Sequence, residues 1–341
     1  MEWFKKHKTM WIVILIFLIF LLGCAAFIWA KLGLVQYGEP ESLEPNPMLH
    51  EEELIPEEQL ASSAWPGLPS GEIYHDPDVV NIMILGTDER TGSFSNNARS
   101  DSMILVSLDK KDKTVRMASM ERGMGVPVME GPYEGQYDWL THMFRYGGAD
   151  LVLKTIRACF LLDVERYVRF NFNAVETIVD AVGGIDIELT AEEAEYFSNA
   201  YVNGQKPPHR DAGMNHLDGF YALGYARLRE IDSDWNRVQR QRKVILAVVD
   251  KLKNTSLLEL NGLVDQVLPL VQTNLSKTEI AQLMLMVPGF LPPQVEQMTV
   301  PAPDTYTGGM IGMGGRSLFK VNFDANTAIL REFLYGPLPE E

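Results

Sequence analysis

From residue 9 to residue 30 the chain reads TMWIVILIFLIFLLGCAAFIWA, without one charged side chain. At ~1.5 Å rise per residue, a helix of roughly 22 residues is about 33 Å long, enough to cross the apolar core of a bilayer. Lys5, Lys6 and Lys8 stand just before the run and only Lys31 just after it, so the positive-inside rule places the C-terminal mass outside the cell. A cleaved signal peptide, or lipobox-like cleavage ending at Cys24 in Leu21-Leu22-Gly23-Cys24, are competing readings. The apolar run continues through Trp29, longer than an ordinary signal-peptide core, which favours an uncleaved anchor. The expected organisation is a cytoplasmic N-terminus (1–8), a transmembrane helix (9–30), an extracytoplasmic linker (31–78) and a globular domain (79–341). A single-pass protein of the cell membrane is expected.

The linker is dense in Glu, Pro and Ser from about residue 38, as in Glu39-Pro40-Glu41-Ser42, and reads as an extended, solvated stalk. Beyond it, roughly 260 residues suffice for one large core, and 46% hydrophobic content fits a folded domain. The formal net charge of −16 argues against nucleic acid as a partner, because sequence-independent binding needs a broad basic surface. An anionic ligand must therefore meet a local basic site. The two cysteines, Cys24 in the apolar run and Cys159 in a helical stretch, exclude an intramolecular disulfide, and Cys159 reads as a core residue.

The apolar run 79–85, followed by Gly86, suits a strand buried on both faces, and 102–108 and 113–120 follow as second and third strands. Helical spacing at 149–161, a strand at 167–172, a helix at 174–181 and a strand at 185–189 continue the alternation, which indicates an α/β sandwich. A short helix near 219–223 and a long amphipathic one at about 234–253 come next. Helices near 257–271 and 277–286 and a strand near 294–300 complete the pattern. The glycine-rich 308–317 lacks the lysine and preceding buried strand of a nucleotide loop and reads as a flexible turn.

Charged residues gather in three places. After the first strand come Gly86-Thr87-Asp88-Glu89-Arg90 and Ala98-Arg99-Ser100-Asp101-Ser102, in which Asp88 and Asp101 can face one another across the loop. Two such hard oxygen ligands suit Mg²⁺, which keeps waters and shares its remaining positions with phosphate. The plainer alternative is that Asp88 makes a turn while Asp101 caps a strand or pairs with Arg99. The second place is residues 225–242, YARLREIDSDWNRVQRQR. In an extended segment Arg227 and Arg229 share a face, and on the following helix Arg237 and Gln241 lie one turn apart. Guanidinium forks match phosphate oxygens; a salt-bridge network with Glu230, Asp232 and Asp234 is the alternative, and Asp234 also suits a helix N-cap. The third is Arg122, on the loop ending the third strand.

The order of these motifs resembles the LytR-CpsA-Psr family of cell-wall glycopolymer ligases. The pieces that carry the resemblance are residues 81–90, Arg99-Ser100-Asp101, Arg122, Tyr146-Gly147-Gly148, residues 179–186, Leu217-Asp218-Gly219, residues 225–242 and Phe333-Leu334-Tyr335-Gly336. The resemblance implies a three-layer α/β/α sandwich with a central mixed β-sheet. It also implies a phosphotransferase that moves a phosphoglycan, such as teichoic acid or capsule, from a polyprenyl-pyrophosphate carrier onto a peptidoglycan hydroxyl. Carried over residue by residue, Asp88 and Asp101 hold Mg²⁺, while Arg99, Arg122, Arg227, Arg229, Arg237 and Gln241 bind pyrophosphate oxygens. Where the family usually has proline before the arginine and aspartate after it, this chain has Glu121 and Gly123.

The chemistry is consistent with what is present. Attack on phosphorus builds charge on the equatorial and leaving oxygens, which a metal and several arginines can stabilise without a protein nucleophile. No nucleophile elbow is found, and His142, His209 and His216 lack zinc-helix spacing, reading as structural or exposed. Asp234 and Asp101 are the candidates for general base. Residues 151–162, 244–252 and 257–270 are candidate walls of an apolar lipid channel, with ordinary core as the alternative. A hydrolase acting on the same donor and a non-catalytic envelope scaffold stay open beside the transferase.

Overall fold

The structure, a computed structural model, describes residues 29–38, 54–60, 65–89, 94, 98–199, 207–253, 257–290 and 294–336. All but the last two residues of the expected span at 9–30 lie outside the described residues. Among the described residues no helix is long and apolar enough to cross a membrane.

The strands in chain order are β1 (Gln36–Tyr37), β2 (Val79–Thr87), β3 (Ser100–Asp109), β4 (Thr114–Met120), β5 (Gly125–Pro127), β6 (Tyr137–Trp139), β7 (Arg166–Asn171), β8 (Ile185–Leu189), β9 (Gly213–Leu217), β10 (Val271–Thr273), β11 (Gln294–Val300), β12 (Tyr306–Ile311) and β13 (Ser317–Val321). The helices are α1 (Glu57–Leu60), α2 (Leu140–Phe160), α3 (Phe172–Ala181), α4 (Ala191–Asn199), α5 (Gly219–Arg227), α6 (Asp234–Leu252), α7 (Leu257–Val267), α8 (Lys277–Met286) and α9 (Phe323–Tyr335). A seven-stranded sheet runs β1-β10-β7-β2-β3-β4-β11. Its pairs β1/β10, β7/β2 and β4/β11 are parallel and the rest antiparallel, so the sheet is mixed.

Strand parity decides what covers each face. Met83, Leu85, Met103, Leu105, Ala118 and Met120 belong to one core with Val152, Ile156 and Phe160 of α2 and Leu330 and Leu334 of α9. Thr299 pairs with Ser119, opposite in parity to Ala118 and Met120, and it accepts a hydrogen bond from Arg242 of α6 at 3.2 Å. Helix α6 therefore lies on the far face, so helices cover both sides of the sheet. A second core, with Val179, Ile187, Phe197, Leu217, Tyr225 and Val244, joins α3, α4, α5 and α6 to the β8–β9 hairpin. Cys159 is fully buried, and burial pushes its thiol pKa up.

The stretch read as a solvated linker is partly built into the domain. Leu32 and Val35 are buried, β1 adds to the sheet edge through Gln36↔Gln272 and Tyr37↔Thr273, and Ile55 joins the main core. Ile55 is held there by a paired exchange with Gln136, its N–H donating to Oε1 at 2.7 Å and its carbonyl accepting from Nε2 at 3.2 Å. Sparse apolar residues in a polar stretch gained a partner surface that local composition does not reveal. The glycine-rich segment read as a flexible turn forms the ends of the β12–β13 hairpin, with Met310 and Met313 buried.

Candidate active site

The site forms at the end of the sheet where β2, β4 and β7 finish and β3 begins. From Val79↔Asp109 to Gly86↔Ser102 the β2–β3 pairing is regular; the register then shifts so that Thr87 pairs with Ser100. Asp101 is thus the extra residue of a β-bulge, a device that bends a strand and re-aims its side chains. Gly86 allows the close crossing, since a Cβ there would lie 2.9 Å from Ser102 Cβ.

Just past β2, Asp88 keeps its N–H on the Arg99 carbonyl (3.2 Å). Its carboxylate accepts from the Arg99 backbone N–H at 2.8 Å and Nε at 3.1 Å, with Nη2 at 3.0 Å. Asp101 Oδ1 accepts from Arg122 Nη1 at 3.1 Å. The Asp101 carbonyl accepts from Nη2 of the buried Arg237 at 3.4 Å. Two carboxylates and three arginines therefore meet at one sheet end. The carboxylate side chains retain 22% (Asp88) and 23% (Asp101) exposure, so a ligand can reach both. The Asp101–Arg99 pair considered from sequence is not what forms: Arg99 bonds Asp88 and Arg122 bonds Asp101.

Arg227 and Arg229 do not share an extended segment. Asp218 caps α5, accepting the Tyr221 N–H at 3.0 Å, and the helix runs on through Arg227, its last residue. The Arg227 guanidinium lies 4.3 Å from the centroid of the Phe172 ring. Phe172 follows Asn171, the partner of Thr87, so Arg227 stands at the site's end of the sheet. Arg229 is exposed on the loop before α6, its N–H donating to Glu230. Ser233, not Asp234, caps α6, accepting the Asn236 N–H at 3.4 Å. Asp234 is the first residue of that helix, and its side chain lies outside the described residues. Gln241 follows Arg237 by one turn and is half-buried. Arg240 and Arg242 take the structural role: Arg240 pairs with Glu193 (2.7 Å) and Asp232, and Arg242 donates to the Met298 carbonyl (2.7 Å).

Beneath the site lies a group that residue spacing did not single out. Arg169 of β7 is fully buried, ion-paired to Glu89, donating to Gln272 Oε1 (2.7 Å) and Thr87 Oγ1 (3.2 Å), and held between the rings of Phe94 (4.7 Å) and Phe144 (4.4 Å). Its signal in the sequence is parity: Tyr167, Arg169 and Asn171 share the buried face of β7. His142 is buried beside Asp138, whose Oδ2 lies 2.8 Å from its Nδ1 and accepts Tyr146 Oη at 2.5 Å. His209 and His216 are exposed. At the departures from the family pattern, Glu121 is buried. The Gly123 N–H donates back to Glu121 Oε1 at 3.4 Å, and a Cβ on Gly123 would meet the Phe319 ring at 3.2 Å.

The candidate lipid walls divide. Residues 151–162 are mostly core, with Leu151, Val152, Ile156 and Phe160 fully buried. On α6, by contrast, Ile245, Leu246 and Val249 remain partly exposed in the roughly two turns after Gln241, while Val248 packs on the second core. Among the described residues no group of three or more His, Cys, Asp or Glu is gathered as a metal site.

The LytR_cpsA_psr family model matches residues 51–327, and the chain belongs to that family. It resembles the polyisoprenyl-teichoic acid–peptidoglycan teichoic acid transferase TagT of Bacillus subtilis (strain 168), 35% identical over 181 residues, which are 52% of this chain and 54% of TagT. TagV of the same strain, with the same transferase name, is 27% identical over 231 residues, 67% of this chain and 58% of TagV. The chain thus spans little more than half the length of these curated relatives. Among solved structures, TagT bound to LI-WTA aligns with a TM-score of 0.60 at 27% identity, covering 76% of this chain and 91% of that one. YwtF (TagT) with bound octaprenyl pyrophosphate lipid aligns at 0.56 and 26%, with the same coverage.

Proposed function

We propose that the protein is a glycopolymer phosphotransferase, taking a phosphoglycan from a polyprenyl-pyrophosphate carrier and joining it to a peptidoglycan hydroxyl. The observation that carries this reading is the bulge-built pair Asp88 and Asp101, each fixed by an arginine, with Arg237 alongside. Such a site suits a polyanion in an otherwise acidic protein. The names of TagT and TagV and the lipid bound in YwtF support the same donor and acceptor classes.

In the reaction the acceptor hydroxyl oxygen forms a new bond to the glycan-bearing phosphorus while the bridging P–O bond of the pyrophosphate breaks. Polyprenyl monophosphate leaves, and the hydroxyl proton passes to solvent or to the leaving phosphate. Arg99, Arg122, Arg227, Arg229 and Arg237, with Gln241, bind and orient the phosphoryl oxygens in this reading, in the way preorganised donors stabilise developing charge. Asp88 and Asp101 fit Mg²⁺ by donor chemistry, since this ion is commonly held by one or two carboxylates with phosphate oxygens and water completing its shell. When bound, Mg²⁺ supplies charge neutralisation at the pyrophosphate. The half-exposed apolar residues of α6 suit the carrier's isoprenoid tail, and a single N-terminal span with an outward-facing domain would keep the site near that carrier.

The test is transfer by the full chain in proteoliposomes, from a defined lipid-linked pyrophosphate glycan to peptidoglycan oligomers, with Mg²⁺ varied. A phosphodiester-linked product supports the transferase. Carrier release without transfer assigns a hydrolase, and absence of both with every metal leaves the scaffold.

A further inference from the structure

Helix α2 is broken near its start. Gly147 (φ −160°, ψ 28°) and Gly148 (φ 62°, ψ −156°) leave helical geometry, and the latter conformation is essentially confined to glycine. The break frees residues 140–146 to seat on the strand ends that carry the site. The Leu140 N–H donates to the Met124 carbonyl (2.9 Å), the Thr141 N–H to the Arg122 carbonyl (3.3 Å), and Thr141 Oγ1 to the Ser100 carbonyl (2.9 Å). Arg145 is the residue this segment delivers. It is half-buried, and its Nε is shielded from solvent with no hydrogen-bond partner. Among the described residues no hydrogen bond or ion pair joins it.

Its surroundings are crowded with cation. Burial, and then the neighbouring Arg99 guanidinium, push the Arg145 pKa down; Asp88 and Tyr146 oppose this, and Arg316 adds to it. Asp88 is already engaged by Arg99. Arg316 is spent on Asp138 Oδ2 (3.3 Å) and the Met313 carbonyl (2.8 Å). A half-buried guanidinium in the field of Arg99 and Arg316, with no carboxylate bonded to it among the described residues, costs the unliganded protein free energy that a bound anion would offset.

We propose that Arg145 is a further phosphate-binding residue, donating to the phosphoryl group that occupies the Asp88–Arg99 side of the carboxylate pair. This rests on the pyrophosphate reading above. Opposite it, Arg122 and Arg237 serve the Asp101 side, so the two ends of a diphosphate meet separate arginine sets.

Inorganic pyrophosphate is the probe, used with the full chain in detergent at fixed ionic strength, by calorimetry and by thermal melting with and without the ion. Arg145→Ala is expected to weaken pyrophosphate binding roughly 10–100-fold, the loss of a charge-assisted hydrogen-bonding partner. Arg145→Lys should fall between it and the wild type, because a point charge replaces the fork. Arg157, at the far end of the same helix and paired with Glu165 at 2.5 Å, provides the control, and Arg157→Ala should bind as the wild type does. Without ligand, Arg145→Ala should melt at or above the wild-type temperature, while the pyrophosphate-induced rise in Tm shrinks. An Arg145→Ala protein that melts far lower, or does not fold, would show a structural role and overturn the proposal. Wild-type binding with less than a twofold change in the variant overturns the Arg145 assignment alone. Failure of the wild type to bind pyrophosphate overturns both this assignment and the donor reading beneath it.

Discussion

Glu89→Gln removes the counter-ion of the fully buried Arg169 while keeping the shape of the side chain. Breaking one partner out of a buried ion pair costs about 3–5 kcal/mol, because the remaining charge is left uncompensated in low dielectric. Here Arg169 keeps Gln272 Oε1 at 2.7 Å, Thr87 Oγ1 at 3.2 Å and the faces of Phe94 and Phe144, which places the expected loss at the lower end, about 3 kcal/mol. For a domain of this size, that lowers Tm by about 6–12 °C. Circular-dichroism melting and urea unfolding of Glu89→Gln are set beside those of Glu89→Leu, Arg169→Met and the two combined, which close the cycle. The combined variant should recover most of the loss, since no orphaned charge remains. A Glu89→Gln protein melting within 2 °C of wild type would show that the two aromatic faces and the neutral acceptors suffice, and would refute the charge-compensation argument.

Asp101→Asn should reduce transfer by roughly 100–1,000-fold, the usual cost of losing one preorganised group at developing charge, with little change in Tm; product assays and melting curves separate the two effects. Gly148→Ala forces a side chain into a conformation that costs about 1–3 kcal/mol, and should lower Tm and pyrophosphate affinity together by displacing residues 140–146. Hydrogen bonding from Arg240, the largest influence, holds the Asp232 carboxyl below the ordinary carboxylate range. Its stabilising contribution is therefore complete above the unfolded value of about 3.9 and fades as pH falls through the folded one. The stability gap between wild type and Asp232→Asn should shrink as urea titrations move from pH 6 to pH 3; a constant gap would count against the pair.

The strands at 79–87 and 100–109 were legible because a strand buried on both faces writes itself as an apolar run, and those at 114–120 and 166–171 because their residues alternate, the first after the turn at 109–112. Asp88, Arg99, Asp101 and Arg122 were legible because they flank those strand ends, where topology gathers them. What stayed hidden depended on partners distant in sequence. Two residues, Gln36 and Tyr37, carry no periodicity, and only β10, more than two hundred residues later, makes them a strand. The extended arrangement expected for Arg227 and Arg229 failed because Asp218 starts a helix whose buried Ala222, Leu223 and Ala226 carry it through Arg227. Arg145 sits among aromatic residues without a phosphate-site spacing, and the glycine break in α2 lets its segment, 140–146, seat on the strand ends that carry the site.

The edge strand β1 bears on how the protein would search for its substrates. Trp29 lies under the Lys277 ammonium (5.3 Å to the ring centroid), Leu32 and Val35 are buried, and Tyr37 is already in the sheet. On the proposed topology, few free residues then separate bilayer from domain, and even fully extended the six from 31 to 36 span only about 20 Å. Such an enzyme is bolted to its mount rather than tethered on a leash. It would sample donors by lateral diffusion in the plane of the membrane, with the height of its reacting atoms fixed, and the wall polymer would have to come down to that height to be modified.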